Sequence, residues 1–445
     1  MVWQTSFLAA TLALQSAIAS PVDFEQASTE PESTQASAAN FRIRETKAFA
    51  EATPLKITDR ILALKSTGSK SKSSIALHNA LRNSVHDAPL TIPWGGDYAI
   101  DIDFGGETFQ VVLDTGSSDL WLARTDVHCV DTDMNHVATA ECGFADEIFD
   151  VTYGGGEFLT GVLGYERVGV AGVGVDRQEL GLVDHAYWMG DNVTSGLIGF
   201  AYPSMTSAYH GTDPSAETAA VLYTPWIFNA IEKGLIEPMF SLAIERGEDG
   251  EKGGQLALGG LPNVTFNHTF TSTPFQITEL PRSDAAAKNY SYYAITPTGY
   301  LLSSNDESYR SYQPAPEAPR TYYSAIVDSG STPMLLPDRI ASDVNAHFDP
   351  PSVFNDDEVY ENYCDATPPS FAISINSTDF FISREDLLVQ KVQSVQDGSP
   401  RRCLAGAQAL LAEGPCVLGD VFLKNVVAVF DIGASEMRFA PRVTY

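Results

Sequence analysis

The chain has 445 residues, of which 44% are hydrophobic, and it carries a formal net charge of −30. It is long enough for more than one domain, since a single hydrophobic core stops growing at about 250–300 residues. The negative charge argues against a nucleic-acid partner, and no Gly-rich phosphate-binding loop occurs. No Cys-x-x-Cys or His-x-x-x-His spacing is present either, so neither a metal site nor a cofactor is expected.

Residues 1–19 are predicted to be a secretory signal peptide. An uncharged, largely apolar run ends in Ala17-Ile18-Ala19, the small-x-small pattern that signal peptidases cut. The alternative interpretation is a short buried helix. No other stretch approaches the about 18–20 apolar residues of a membrane helix, and the C-terminus has no hydrophobic tail. We therefore expect a soluble product without a membrane anchor.

Residues 20–87 are predicted to be a pro-segment. The first part, residues 20–40, is too polar to fold, and residues 41–83 carry nine basic against three acidic side chains. The chain from Ser84 onwards has 18 basic and 50 acidic residues. Opposite charges attract, so the basic segment is expected to dock on the acidic body and inhibit it until acid protonates the carboxylates. A basic linker without this role is the alternative.

An acidic side chain follows a buried strand early in the next segment. Residues 97–103 alternate apolar and polar side chains, which predicts a half-buried strand, and Gly105-Gly106 marks a hairpin turn. The returning strand ends in the apolar run 111–113, which is typical of a strand buried on both faces. Asp114 leaves this strand in a partly desolvated position, in front of the turn Thr115-Gly116-Ser117.

A second copy of this pattern occurs later in the chain. The apolar residues 325–327 lead into Asp328-Ser329-Gly330-Ser331. Two matching segments predict a duplicated lobe, with both carboxylates meeting at the junction. We place the lobes at 88–262 and 263–445. One short helix is expected with Thr224 as its N-cap and Pro225 in its first turn, and another at Pro337-Asp338, since apolar stripes with helical spacing follow both.

These motifs resemble those of the pepsin-like aspartic endopeptidases. The resemblance also covers a flap-like segment at 151–165, Gly-Leu-Ile-Gly at 196–199, and Val-Leu-Gly-Asp at 417–420, so it extends from about Ile92 to the last residue. It implies an all-β, bilobal pepsin-like fold, in which two related β-barrel-like lobes enclose an active-site cleft.

The resemblance also implies a role for each motif residue. Asp114 and Asp328 match the catalytic pair that activates a water molecule. Thr115 and Ser329 match the hydroxyls that cross-link the two loops, and Ser117 and Ser331 match those that bond the outer carboxylate oxygens. Gly116 and Gly330 complete the dyad motifs. In this family a pro-segment lysine commonly contacts the two carboxylates, and Lys65, Lys70 or Lys72 could take that position here.

The resemblance further implies a flap that closes over an extended peptide. Tyr153, Gly154 and Gly155 match the flap, and Trp121 matches the tryptophan that anchors the flap tyrosine; ordinary core aromatics are the alternative. Three positions depart from the family pattern: Gly155 replaces Asp or Thr, Glu157 replaces Ser, and Ser195 replaces Asp. Without the flap carboxylate, Val112 and Leu197 suggest an apolar pocket and a preference for large hydrophobic residues flanking the scissile bond.

Five cysteines fit an oxidising compartment. The spacings of Cys129-Cys142 and Cys364-Cys403 resemble disulfides of the family. Cys416 is expected to be a buried free thiol, although pairing with Cys364 or Cys403 is an alternative. Sequons that could carry glycans in a secreted protein occur at Asn192, Asn263, Asn267, Asn289 and Asn376.

The leading hypothesis is a secreted, monomeric aspartic endopeptidase made as a zymogen, acting on protein or peptide substrates at acidic pH. Its destination is extracellular or, alternatively, an acidic vacuole. A second hypothesis is a pepsin-fold binding or inhibitor protein that has lost cleavage activity, although both Asp motifs are intact. A third hypothesis, a glycosidase with two catalytic carboxylates, is the least favoured. Its two acids would be expected on unlike segments, whereas here they lie on matching ones.

Overall fold

The computed structural model describes residues 85–91, 97–129, 157–188, 190–191, 193–208, 222–247, 251–277, 290–313, 324–356, 358–389, 401–411 and 415–443. The predicted signal peptide, residues 41–83 and positions 151–156 of the flap lie outside these residues.

The described part of the chain is mostly β, which confirms the predicted fold class. The strands before residue 262 are β1 (His86–Thr91), β2 (Ala99–Phe104), β3 (Glu107–Asp114), β4 (Leu120–Cys129), β5 (Phe158–Val170), β6 (Val173–Tyr187), β7 (Gly196–Gly199), β8 (Phe240–Ile244) and β9 (Lys252–Leu258). Those after it are β10 (Thr271–Pro274), β11 (Ala294–Ile295), β12 (Gly299–Ser303), β13 (Arg310–Tyr312), β14 (Ala325–Val327), β15 (Met334–Leu336), β16 (Val353–Phe354), β17 (Tyr360–Tyr363), β18 (Ser370–Ile375), β19 (Thr378–Ile382), β20 (Leu388–Val389), β21 (Arg402–Ala405), β22 (Ala407–Ala409), β23 (Cys416–Leu418), β24 (Val426–Asp431) and β25 (Glu436–Pro441). The α-helices are α1 (Trp226–Glu232), α2 (Asp338–Ala346) and α3 (Asp420–Leu423).

One large sheet runs through both halves of the molecule. Its twelve strands follow the order β10-β25-β24-β8-β9-β1-β2-β3-β7-β4-β6-β5. Smaller sheets, with the orders β11-β14-β23-β15-β22, β13-β12-β18-β19 and β16-β17-β21-β20, complete the second half. The large sheet therefore joins strands from near the start and the end of the described chain.

The predicted hairpin in front of Asp114 is confirmed. Strands β2 and β3 pair antiparallel from Ala99 opposite Val112 to Phe104 opposite Glu107. Ile100 and Ile102 are buried whereas Asp101 is exposed, as the alternating pattern predicts. The last four residues of β3 are all buried, and β2 and β7 pair with the two edges of this strand.

Both predicted helices are present, but one predicted cap is wrong. Helix α1 starts one residue later than expected, after Pro225, with no side-chain cap. The carbonyl of Thr224, the predicted cap residue, instead accepts hydrogen bonds from the side-chain amides of Gln178 and Asn229. Helix α2 ends at Ala346, so Phe348 packs in the core from beyond its end.

The two halves repeat one arrangement around the expected site. In the first, β3 runs parallel to β7, which places Asp114 opposite Gly199. In the second, β14 runs parallel to β23, with Val327 opposite Leu418. Buried aromatic rings fill the core between them, and the Phe240 ring stacks on that of Phe430 at 4.4 Å. This two-fold repetition brings the ends of β3 and β14 together.

Candidate active site

Asp114 and Asp328 lie side by side where β3 and β14 end. Their residues are only 6% and 5% exposed. The carboxyl group of Asp328 is close enough to raise the pKa of Asp114. The structure thus brings together the two acidic residues that the sequence places more than two hundred positions apart.

Each carboxyl group is held in the same way by its own turn. The N–H of Gly116 donates to Oδ1 of Asp114 at 2.6 Å, and the Ser117 hydroxyl donates to Oδ2 at 2.5 Å. The second turn repeats these contacts on Asp328, from the Gly330 N–H at 2.9 Å and from the Ser331 hydroxyl at 2.7 Å. Donors on both oxygens fix the plane of each carboxyl group, and those on Asp114 favour its ionised form.

The two motif glycines allow this close approach. A Cβ atom on Gly116 would lie 2.5 Å from Cγ of Asp328. A Cβ atom on Gly330 would lie 2.6 Å from Oδ1 of Asp114. Real Cβ atoms do not approach other heavy atoms so closely, so any larger residue here would separate the carboxyl groups.

Crossed hydrogen bonds tie the two turns to each other. The Thr115 hydroxyl donates to the carbonyl of Val327 at 2.9 Å and accepts from the Ser329 N–H at 3.0 Å. The Ser329 hydroxyl donates to the carbonyl of Leu113 at 2.7 Å and accepts from the Thr115 N–H at 3.2 Å. Both side chains are almost fully buried, so each hydroxyl satisfies one donor and one acceptor of the opposite loop.

The environment opposes ionisation of the pair. Burial raises the pKa of Asp114 well above its usual value, and the neighbouring Asp328 carboxyl raises it further. The hydrogen bonds from Ser117 and Gly116 act in the opposite direction, but they are weaker effects. Two adjacent carboxyl groups of this kind hold one proton between them over a range of pH.

Sequence reasoning missed a third buried acid beside the pair. Asp420, the first residue of α3, is 1% exposed, and its N–H donates to the carbonyl of Ser331 at 2.8 Å. No group in the described part of the chain donates a hydrogen bond to its Oδ1. Burial raises the pKa of Asp420 well above its usual value, Lys424 opposes this, and nearby acids, including both members of the pair, reinforce it. The motif Val-Leu-Gly-Asp contains this residue, but the pattern does not show that its side chain points inward.

A second group of acids lies at the entrance to β2. Burial raises the pKa of Asp97 to about 7, and the charges of Asp191 and Glu157 contribute. Asp191 is buried and accepts hydrogen bonds from the backbone and hydroxyl of Thr194. Glu157, the predicted departure next to the flap, is 8% exposed. These residues are distant in sequence, so only the fold reveals them as a group.

Some of the remaining residues of the predicted site lie within the described part of the chain, and others do not. Trp121 is fully buried and meets the edge of Trp188 at 5.2 Å. Val112 and Leu197 face each other in neighbouring strands beside the Asp114 turn and are almost completely buried. Tyr153, Gly154 and Gly155 lie outside the described residues. The contact between Trp121 and the flap therefore stays a prediction.

A disulfide joins Cys364 and Cys403, and Cys416 is a buried free thiol. The prediction for Cys129 and Cys142 rests on residues or side chains outside those described. Asn263, Asn267 and Asn376 are exposed, whereas Asn192 and Asn289 are not described. Among the residues that the structure places, none form a cluster suited to a metal ion, and none of the helices could cross a membrane.

Comparison with known proteins finds related chains. Residues 97–442 match the family model described as eukaryotic aspartyl protease. A probable aspartic-type endopeptidase of Aspergillus fumigatus is 36% identical over 403 residues, which cover 86% of this chain and 87% of the relative. Rhizopuspepsin-2 of Rhizopus niveus is 27% identical over 362 residues, covering 78% of this chain and 80% of that protein.

A solved structure supports the same fold. The crystal structure of an aspartic proteinase from Irpex lacteus superposes with a TM-score of 0.57, and the match covers 80% of this chain and 97% of that one. The identity between the two chains is 17%, so this likeness bears on the fold alone.

Proposed function

The chain belongs to the eukaryotic aspartyl protease family, whose members are peptide hydrolases, and we propose that it cleaves peptide bonds with Asp114 and Asp328. The observation that carries this proposal is the matched support of the two carboxyl groups. Each has one Gly N–H and one Ser hydroxyl on its oxygens, and the crossed bonds of Thr115 and Ser329 hold the pair together.

The reaction would use water as the nucleophile. The ionised member of the pair takes a proton from a water molecule held between the carboxyl groups, while the oxygen of that water attacks the peptide carbonyl. The protonated member donates a hydrogen bond to the developing oxyanion. Transfer of a proton to the leaving nitrogen then accompanies cleavage of the C–N bond. The enzyme forms no covalent intermediate, and the pair ends with the proton count with which it began.

This chemistry should operate at acidic pH. It needs one ionised and one protonated carboxyl group, and proximity and burial favour this state by making the second ionisation costly. Activity should therefore rise as the first proton leaves the pair and fall as the second leaves. The two apparent pKa values belong to the pair and not to either residue.

The substrate would be an extended peptide with large apolar residues at the scissile bond. Such a peptide binds by adding a strand, so backbone hydrogen bonds give affinity for many sequences. Val112 and Leu197 support an apolar preference, since both lie beside the turn that carries Asp114. In this proposal Tyr153, Gly154 and Gly155 form the flap over the peptide, anchored by Trp121.

We further propose that the enzyme is a secreted zymogen. The apolar run within residues 1–19 and the basic residues 41–83 ahead of an acidic body support this order of segments. A disulfide and exposed sequons at Asn263, Asn267 and Asn376 suit an oxidising, glycosylating route. The destination would be extracellular, with an acidic vacuole as the alternative.

The test is cleavage of denatured haemoglobin by the purified full chain from about pH 3 to about pH 7, with and without a statine inhibitor. Asp114→Asn is the active-site variant, and Asp101→Asn is the matched control, since Asp101 is exposed on the neighbouring strand β2. We expect statine-sensitive activity in acid that only Asp114→Asn abolishes. A folded wild-type protein that is inert at every pH would instead favour a binding protein of this fold.

A further inference from the structure

A cavity of about 580 Å³ lies where β1, β9 and the last described residues of the chain meet. Pro89 of β1, Lys252 and Gln255 of β9, and Val443 after β25 contribute to its wall. Its volume falls within the about 300–1,000 Å³ of small-molecule sites. None of the described residues that line it belongs to the candidate active site, so the proposed hydrolysis leaves this cavity without a role.

The wall combines apolar surface with a hydrogen-bond acceptor. Pro89 and Val443 are both exposed, Val443 by 41%. The Oε1 atom of Gln255 is buried, and no group in the described part of the chain donates a hydrogen bond to it. A buried acceptor without a donor is costly. The wall therefore suits a ligand that carries hydroxyl or amide donors beside an apolar face.

The charges of the wall do not favour an anion. The Arg442 guanidinium donates to the carbonyl of Ile244 at 3.0 Å and lies 3.4 Å from Oε1 of Glu245, so it is engaged by the chain itself. Lys252, the other cation among the residues that line the cavity, is exposed, and water and salt screen its charge. A neutral, hydroxylated ligand matches this wall better than a charged one.

One N-glycosylation sequon forms part of the wall. Asn263, Val264 and Thr265 all line the cavity, and both Asn263 and Thr265 are exposed. The next sequon begins at Asn267, which does not line the cavity and whose Oδ1 accepts a hydrogen bond from the Thr269 N–H at 3.1 Å. A sugar attached to Asn263 therefore starts at the cavity, whereas a sugar attached to Asn267 starts outside it.

Covalent attachment makes even a weak sugar site effective. A group on a short link has an effective concentration on the order of millimolar at a neighbouring site. An attached sugar can thus occupy a complementary cavity that the free sugar would fill only poorly. Because the cavity exists only in the folded chain, its occupation stabilises the fold.

We propose that Asn263 carries an N-linked glycan and that the first N-acetylglucosamine of this glycan lies in the cavity. A hydroxyl group or the acetamide N–H of this sugar donates to Oε1 of Gln255. The apolar face and the acetyl methyl group of the sugar cover Pro89 and Val443. The inference rests on the proposed secretory route, and it assigns a structural role to one of the exposed sequons.

The modification is a group transfer that the secretory route supplies. The Nδ2 atom of Asn263 forms a bond to the anomeric carbon of the sugar and gives up one proton. The bond from this carbon to the diphosphate of a lipid-linked oligosaccharide breaks, and the lipid diphosphate leaves with the electron pair. The transfer requires no oxidant or reductant.

The first test measures the occupancy of Asn263 and the protection of its glycan. The full chain is produced in a glycosylating host behind a foreign signal peptide, and mass spectrometry of glycopeptides measures the occupancy. Peptide N-glycosidase, which cuts the bond between the sugar and Asn, is then applied to the native and to the denatured protein. We expect Asn263 to be occupied and its glycan to be released at least about tenfold more slowly from the native protein. Gln255→Leu, which removes the acceptor but keeps a side chain of similar length, should speed this release.

The second test measures stability with matched variants. Thr265→Ala and Thr269→Ala each remove one sequon and leave its Asn in place. In the Asp114→Asn background, which prevents self-cleavage, we expect Thr265→Ala to lower the melting temperature by roughly 2 °C or more and Thr269→Ala to leave it unchanged. The same variants made without glycans in a bacterial host control for the substitutions themselves.

An unmodified Asn263 would overturn the inference. A glycan at Asn263 that is released equally fast from wild type and from Gln255→Leu, with no effect of Thr265→Ala on the melting temperature, would overturn it too. Secretion is measured separately with the chain's own N-terminus. If residues 1–19 do not direct the chain out of the cell, the secretory proposal fails, whereas the foreign signal peptide still allows the cavity to be tested.

Discussion

The turns at Asp114 and Asp328 hold their carboxyl groups alike, but different side chains lie behind them. Next to the first, β7 ends at Gly199, and the following residue is Phe200, a buried ring that stacks on Trp226. Next to the second, β23 leads through Gly419 into Asp420, a buried acid. The contacts that chemistry needs are thus duplicated, whereas the residue behind each carboxyl group differs, a buried ring in one case and a buried acid in the other. An enzyme built from a repeated unit need not be electrostatically symmetric.

The two carboxyl groups can be compared most directly with the variants Asp114→Asn and Asp328→Asn. If the groups act as one unit, either change removes the state in which one is ionised and the other protonated. The value of kcat/KM should then fall by about 10²–10⁴-fold in both variants. Assays with a fluorogenic peptide at acidic pH, with circular dichroism as the check on folding, measure this. A large loss in only one variant would show that the second carboxyl group is dispensable.

Substitution of the two motif glycines by alanine should have the next largest effect on activity. Gly116→Ala and Gly330→Ala each place a methyl group within 2.6 Å of the opposite carboxyl group. The displacement of the pair should lower kcat by about 10²-fold, since a shift near 1 Å at a reacting group has this effect. Gly164→Ala, in β5, is the control for a glycine substitution away from the pair, since a Cβ atom there would lie 3.8 Å from its nearest neighbour, Cδ1 of Leu182. Unchanged kcat in both motif variants would mean that the turns can relax.

The crossed bonds predict matched losses of stability. Thr115→Val and Ser329→Ala each leave a backbone donor and a carbonyl of the opposite loop without their hydroxyl partner. Each buried group left unsatisfied costs about 1–3 kcal/mol in the free energy of unfolding. Urea denaturation of both variants in the Asp114→Asn background, which avoids autolysis, measures this loss. Stabilities equal to that of the parent would contradict the interlocking role.

The smallest expected effect is on the pH dependence of stability, to which the buried acids Asp420 and Asp97 contribute. Asp420 and Asp97 have raised pKa values when folded, in the case of Asp97 about 7, chiefly through burial. The unfolded chain ionises these groups near pH 4, so it binds fewer protons than the folded chain above that pH. The contribution of each group is thus complete in acid and decreases as the pH rises above about 4; that of Asp97 is lost as the pH passes about 7.

Asp420→Asn and Asp97→Asn should therefore reduce the fall in melting temperature between pH 4 and pH 7 by a few degrees relative to the parent. Scanning calorimetry at the two pH values measures this, and Asp101→Asn is again the exposed control. A fall as steep as that of the parent in both variants would assign the pH dependence to other groups.

Much of the site was predictable because its chemistry is local in sequence. The groups that hold each carboxyl lie two or three residues after it: Gly116 and Ser117 for Asp114, and Gly330 and Ser331 for Asp328. Each motif therefore contains its own contacts. The hairpin in front of Asp114 follows from alternating side chains and a Gly-Gly turn. The family resemblance added the expectation that the two motifs meet.

Other features depend on contacts between residues distant in sequence, and the sequence did not predict them. Asp97, Glu157 and Asp191 form one acidic group only because separate strands bring them together. Asp420 looks like an ordinary residue at a strand end until the burial of its side chain is known. Thr224 has the type of a helix cap, but helix α1 begins after Pro225 with no side-chain cap. For the buried acids, packing against residues distant in sequence decides the outcome.

The crossed hydroxyls of Thr115 and Ser329 have a consequence for how this molecule would fail. Each lobe stabilises the loop of the other, so the reactive pair exists only while both lobes are docked. Heat or denaturant that loosens this docking should abolish turnover before either lobe loses its strands. Loss of activity would then precede loss of the far-ultraviolet signal, and turnover would report the docking of the two lobes.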